Sequence, residues 1–167
     1  MFSSFNKDKQ IVDKYIDNYH IHKTDIYLAR YKLSTQSNPK EYLADFFKDI
    51  KHGSVIVITE TIVYDEDAYI NSAAAQIFDN HRRFYTVNEI LDFVQDYARL
   101  NYFLNFKEIV YINDILQHIT NDKEKHEIIK ILNDFPDEIK QLLSFKEENG
   151  SLISFEPNVA VFILIKK

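Results

Sequence analysis

The sequence predicts an α+β fold: a helix-rich single domain over 1–167, with a small sheet that ends in a C-terminal β-hairpin and is packed by helices. Three observations carry that expectation. A chain of 167 residues with 46% apolar and 14% aromatic content can fill one core without needing a second. Apolar side chains recur at helical spacing in several stretches, whereas 55–58 and 159–165 are apolar at successive positions, as strands buried on both faces are. No repeat, linker or low-complexity segment interrupts the chain.

Taken in order, Ile11, Val12, Tyr15, Ile16 and Tyr19 share one helical face, which predicts a helix over 8–20. The next segment, 25–33, alternates Tyr27, Ala29, Tyr31 and Leu33 against Ile26, Leu28, Arg30 and Lys32, and reads as a strand. Ser37-Asn38-Pro39 combines a capping side chain with a proline suited to a first helical turn, and Tyr42, Leu43, Phe46, Phe47 and Ile50 continue the stripe until Gly53. Val55, Ile56, Val57 and Ile58 then form a central strand that extends toward Tyr64 unless a bend near Glu60 divides it.

Asp65-Glu66-Asp67 opens a helix to Phe78, its acids placed at the positive end of the dipole. Thr86-Val87-Asn88-Glu89 is a capping-box pattern, and Ile90, Leu91, Val94, Tyr97 and Ala98 carry that helix toward Leu104. Residues 108–112 fit a short strand or more helix. Thr120 or Asn121 caps a helix ended by Pro136, and 137–145 adds another. A turn at Asn149-Gly150 leads to 151–155 and 159–165, the two arms of the expected hairpin, joined by Glu156-Pro157-Asn158.

Composition excludes several classes. There is no cysteine, hence no disulfide, thiolate metal site or cysteine nucleophile. Two glycines, Gly53 and Gly150, are too few for a phosphate cradle or a dinucleotide fingerprint. The net charge of −6, with Arg82 and Arg83 as the only adjacent arginines and no clustering of Lys and Arg, disfavours nucleic acid as a partner. An N-terminus without an apolar run and a longest apolar stretch of 159–165 predict a soluble protein, not held by a membrane, in the cytoplasm. His20 with His22, or His118 with His126, lack third and fourth ligands, so no metal and no cofactor is expected.

The carboxylates gather at Asp65, Glu66 and Asp67, at Asp134, Asp137 and Glu138, and at Glu147 and Glu148. Carboxylates in such runs can stand in for phosphates on a basic protein and speed its approach. The main expectation is therefore a non-catalytic protein-binding domain, an inhibitor or immunity-type protein that neutralises a basic effector such as a nuclease toxin. Those eight acids would be its contact residues, none of its residues catalytic, and its oligomeric state is left open.

Two resemblances point instead to enzymes. His22-Lys23-Thr24 and His118-Ile119-Thr120 are similar to the paired triplets of the two-histidine phosphoesterases, which implies His and Thr side chains converging on a phosphate from two strands. That family follows each Thr with an apolar residue, whereas Asp25 and Asn121 follow here. Residues 25–60 resemble the second half of a class I methyltransferase, a strand, a helix and a strand after a glycine, with 82–93 resembling the stretch beyond. The glycine-rich turn that holds adenosylmethionine in that family has no counterpart, and too few residues precede Asp25 to contain it. The resemblance thus implies a cofactor-free half or partner subunit, with 26–33 and 54–60 as adjacent parallel strands.

Overall fold

Local sequence signals set most of the elements in the computed structural model, which describes residues 26–64 and 83–167. Strand β1 (Ile26–Arg30) is followed by a 3-10 turn (Leu33–Thr35), helix α1 (Pro39–Lys48) and strand β2 (Val55–Thr61). Asn38 caps α1 by accepting the Glu41 N–H, with Pro39 at its first position. Gly53 adopts φ +81 in the turn between α1 and β2, a conformation that side chains rarely allow. Helix α2 (Val87–Val94) starts on a complete capping box, Thr86 accepting the Glu89 N–H while the Glu89 carboxylate accepts the Thr86 N–H.

Strand β3 (Ala98–Lys107) follows directly on α2. Beyond it come β4 (Val110–Tyr111), α3 (Ile112–Leu116), α4 (Asp122–Asn133), α5 (Asp137–Leu142), β5 (Lys146–Glu148) and β6 (Ser151–Phe155), and β7 (Asn158–Lys166) closes the series. Among the described residues the strands form two sheets. The first has the order β1-β2-β7-β3, with β1 parallel to β2 and β7 antiparallel to both its neighbours; the second is β4-β6-β5.

Helices α1 and α2 pack on one face of the first sheet. Leu43, Phe47, Ile90 and Val94 meet Ala29, Ile56, Ile58, Phe162 and Leu164 there, with Phe47 stacked on Tyr97. Side chains at alternate positions, Val55, Val57, Val161 and Ile163, form the apolar cluster of the opposite face. The segment 108–157 has a core of its own around Ile112, Leu132, Phe135 and Ile139. Among the described residues no helix is long and apolar enough to cross a membrane.

The mixture of helices with small sheets is as the sequence predicts, and two expectations are corrected. Segments 151–155 and 159–165 do not pair as a hairpin: β6 lies between β4 and β5, while β7 lies between β2 and β3 in the other sheet. Pro157, which has no N–H to donate, and the core around Phe155 divert the chain between the sheets. The helix expected to run from Thr86 toward Leu104 stops at Val94, because 98–107 pairs with β7 along its length. The central strand expected from Val55 onward runs undivided past Glu60, which pairs opposite Ala160, and ends at Thr61. The helices expected over 8–20 and 65–78 lie outside the described residues.

Candidate functional site

Because β1 and β2 are parallel, both end at the same edge of the sheet, where β3 also ends and β7 begins. Open α/β sheets bind their ligands at this carboxyl edge. The chain leaves β1 through Tyr31, which holds φ 49, a left-handed conformation that is uncommon for a bulky residue and tends to persist where the surroundings enforce it. Its N–H donates to the Thr59 carbonyl at 2.8 Å, and its hydroxyl donates to Glu108 Oε2 at 2.6 Å. That second bond links the end of β1 to the residue just past β3.

Glu60 is the central charged group of this edge. It lies on the α1 and α2 face of β2 and is 1% exposed. Its Oε1 accepts the Leu33 N–H at 2.6 Å, which ties the 3-10 turn to β2, while Oε2 has no hydrogen-bond partner among the described residues. Burial pushes the Glu60 carboxyl up to about 7, against the pull of the Leu33 N–H, the Ser34 hydroxyl and N–H, and the Lys32 N–H. Burial also raises Tyr42 and Tyr85, and the nearby Glu60 charge adds to the rise in each; Arg83 works against it at Tyr85. The Arg83 guanidinium pairs with Glu89 and lies 5.2 Å over the Tyr85 ring. Close by, the Asn105 amide donates to the Tyr64 hydroxyl at 3.2 Å.

The edge therefore carries phenols, two carboxylates and an amide. Among the described residues no group of three or more His, Cys, Asp or Glu could hold a metal ion. The two glycines also stand elsewhere: Gly53 precedes β2 at the opposite edge, bonded to Lys166, and Gly150 forms the β5–β6 turn with Asn149. A nucleoside cofactor at the end of β1 would meet Tyr31 rather than a glycine turn. These residues do not fit the adenosylmethionine cradle of a methyltransferase.

The acids expected to bind a partner do not converge at this edge. Asp134, Asp137, Glu138, Glu147 and Glu148 are all exposed on the 108–157 segment, and Asp137 and Glu147 flank a shallow depression of about 270 Å³ with Lys140 and Ser144. Asp65, Glu66 and Asp67 lie outside the described residues, as do His20, His22 and Arg82. His118 is exposed just past α3, and Thr120 precedes the cap Asn121, so the second triplet is not on a strand as the phosphoesterase resemblance requires.

No protein-family model matches the chain, and no curated protein matches it. Solved structures do share its fold. A Bacillus halodurans C-125 protein, BH2331, provisionally described as a methyltransferase, superposes with a TM-score of 0.70 at 16% identity, over 84% of this chain and 68% of that one. The Bacillus subtilis protein YcgJ gives 0.70 at 17% identity, over 86% and 64%. The MccD protein gives 0.52 at 16% identity, over 85% and 60%. The chain shares the fold of these proteins, one of which is described as a methyltransferase. That likeness overturns the expectation of an inhibitor or immunity protein in toxin neutralisation, which rested on acidic composition. Composition reports the surface, and the strand order that carries the likeness is a property of the core.

Glu60 is the residue that sequence reasoning missed at this site. Within Thr59-Glu60-Thr61 it reads as the polar end of a strand, and its burial depends on a turn 27 residues earlier.

Proposed function

We propose that this chain is a methyltransferase-like subunit without a cofactor cradle of its own, which works with residues outside the chain that supply one. The observation that carries the reading is the sheet: β1 and β2 are adjacent and parallel from Ile26↔Val55 to Arg30↔Thr59, and β7 is inserted antiparallel between β2 and β3. The Tyr31, Glu60 and Glu108 edge is the acceptor side of the assembled site. Glu60 holds the turn after β1, and Tyr31 with Glu108 braces the rim across the strand ends. The chain spans 60% to 68% of the solved structures that it resembles.

Titration calorimetry with S-adenosylmethionine tests the reading. The purified chain is expected to give no saturable heat, whereas the complex purified from its own cells binds the cofactor and transfers a labelled methyl group. Saturable binding and methyl transfer by the chain alone would overturn the proposal.

A further inference from the structure

We infer that the segment 108–157 is a hinged lobe at the carboxyl edge of the first sheet, locked at one angle by two hydroxyl ties, Tyr31 to Glu108 and Lys107 to Ser144. The lock belongs to the free chain and holds whether or not methyl transfer takes place. The chain crosses between sheet and lobe at Lys107–Glu108 and again at Pro157–Asn158. The two crossings lie side by side, joined by the Glu108 N–H to the Pro157 carbonyl at 3.0 Å. A pair of adjacent crossings can act as a hinge, since a few residues at element ends absorb a rotation that a wider attachment would resist. The cores on either side are separate. Among the described residues, none of those packed around Leu132 and Phe135 belongs to the cluster of Phe47 or to that of Val161.

Each tie is made by a hydroxyl residue in an unfavourable backbone state. Among the described residues three that are not glycine have a positive φ, and two of them are Tyr31 and Ser144, both at φ 49. The third, Asn149, stands in the β5–β6 turn, where asparagine tolerates that conformation. Ser144 follows α5 at the place where helices commonly end on a left-handed glycine. Its N–H donates to the Gln141 carbonyl at 3.0 Å, and the Phe145 N–H donates to the Lys140 carbonyl at 2.9 Å. Glycine would make this cap without steric cost. What serine adds is a hydroxyl, which accepts the Lys107 ammonium at 2.8 Å, while the Leu142 carbonyl accepts the same ammonium at 3.4 Å.

Tyr31 repeats the pattern from the sheet side. It follows β1 and reaches Glu108, the first residue of the lobe, whereas Lys107 ends β3 and reaches across to the end of α5. Both ties therefore span the hinge. Strained residues persist where their surroundings enforce them and gather at switch regions, where rearrangement releases the strain. The ties are also breakable. The Lys107 bond lies on exposed surface, where water competes for both partners, so its net contribution is modest. Release lets the lobe turn relative to the edge where β1, β2 and β3 end.

The chain has no native cysteine, so spin labels can be attached through Ala44→Cys on α1 and Glu127→Cys on α4, both exposed positions. Double electron–electron resonance on the full chain is expected to give one narrow distance distribution. In the Tyr31→Phe/Ser144→Gly variant its width should be roughly doubled, because both ties across the hinge are lost. Ser144→Gly alone separates a lock from a cap: relief of a strained cap would leave the distribution as it was, whereas loss of the tie broadens it. Lys107→Met removes the same bond from the sheet side, spares the cap, and is expected to broaden the distribution equally. Amide hydrogen exchange around Leu132 and Phe135 should keep its native rate in every variant, since the lobe turns as a body. An unchanged distribution in the Tyr31→Phe/Ser144→Gly variant, or broadening accompanied by faster exchange in the lobe core, would overturn the inference. The measurement uses no S-adenosylmethionine, so its failure leaves the proposed function standing, and failure of the cofactor experiment leaves the hinge standing.

Discussion

At the scale of single residues, Glu60 makes the stability of the protein depend on pH. Its carboxyl takes up a proton more readily in the folded chain, with a value of about 7 against an ordinary 4.5. Between those values the folded state binds more protons than the unfolded one, so this contribution to stability falls as pH rises through the window. Going from pH 5 to pH 8 should remove about 2 kcal/mol through this group. Glu60→Gln retains an oxygen to accept the Leu33 N–H and cannot ionise. Urea unfolding at the two pH values should therefore show the variant gaining on the native protein by about that amount at pH 8. A parallel loss in both proteins would mean that the carboxyl titrates normally. None of this is legible in the sequence, where a glutamate between two threonines at the end of an apolar run looks solvated. What buries it is the return of Leu33 and Ser34 over the strand end, a contact between elements that local patterns do not encode.

At the scale of elements, signals that act within a few residues are legible and signals that act over long separations are not. The capping residues Asn38 and Thr86 each accept the amide three residues on, so both helix starts can be read directly. Thr86→Ala should lower stability by about 1 kcal/mol. That change is measurable as a shift in the urea midpoint at constant slope, and Thr86→Ser should restore most of it. The end of the same helix could not be read. Tyr97 and Ala98 continue the helical spacing, but Ala98 is the first residue of β3, opposite Lys166, nearly seventy positions away. Strand β7 offers β3 an apolar partner on both faces, and pairing along 98–107 outweighs the local helical preference. The adjacent parallel strands implied by the methyltransferase resemblance are present as β1 and β2, although the first stops at Arg30 and Leu33 begins a 3-10 turn; a strand, helix and strand in succession leave few alternatives to a right-handed crossover.

At the scale of the whole molecule, the segment 108–157 is inserted into a continuous pairing of β3 with β7. Lys107 faces Asn158 across that ladder, and the Glu108 N–H donates to the Pro157 carbonyl at 3.0 Å, so the two ends of the insertion are already adjacent. The segment forms its own sheet and its own core around Leu132 and Phe135, separate from the cluster of Phe47, Ile58 and Phe162. Its ties to the rest include the Tyr31 hydroxyl to Glu108 and the Lys107 ammonium to Ser144. Removing it therefore leaves the Phe47 cluster its partners and closes β3 to β7 through a short loop, at a small entropic cost. A variant with 108–157 replaced by Asn-Gly, a dipeptide suited to a two-residue hairpin turn between the paired Lys107 and Asn158, should still unfold in one cooperative urea transition. Its slope should fall by roughly a quarter to a third, in proportion to the surface no longer buried. Circular dichroism should retain the signal of β1, β2, β3 and β7 with α1 and α2. Loss of the cooperative transition would instead mean that the four-stranded sheet depends on the inserted segment, and that the Tyr31 edge and the insertion fold as one unit.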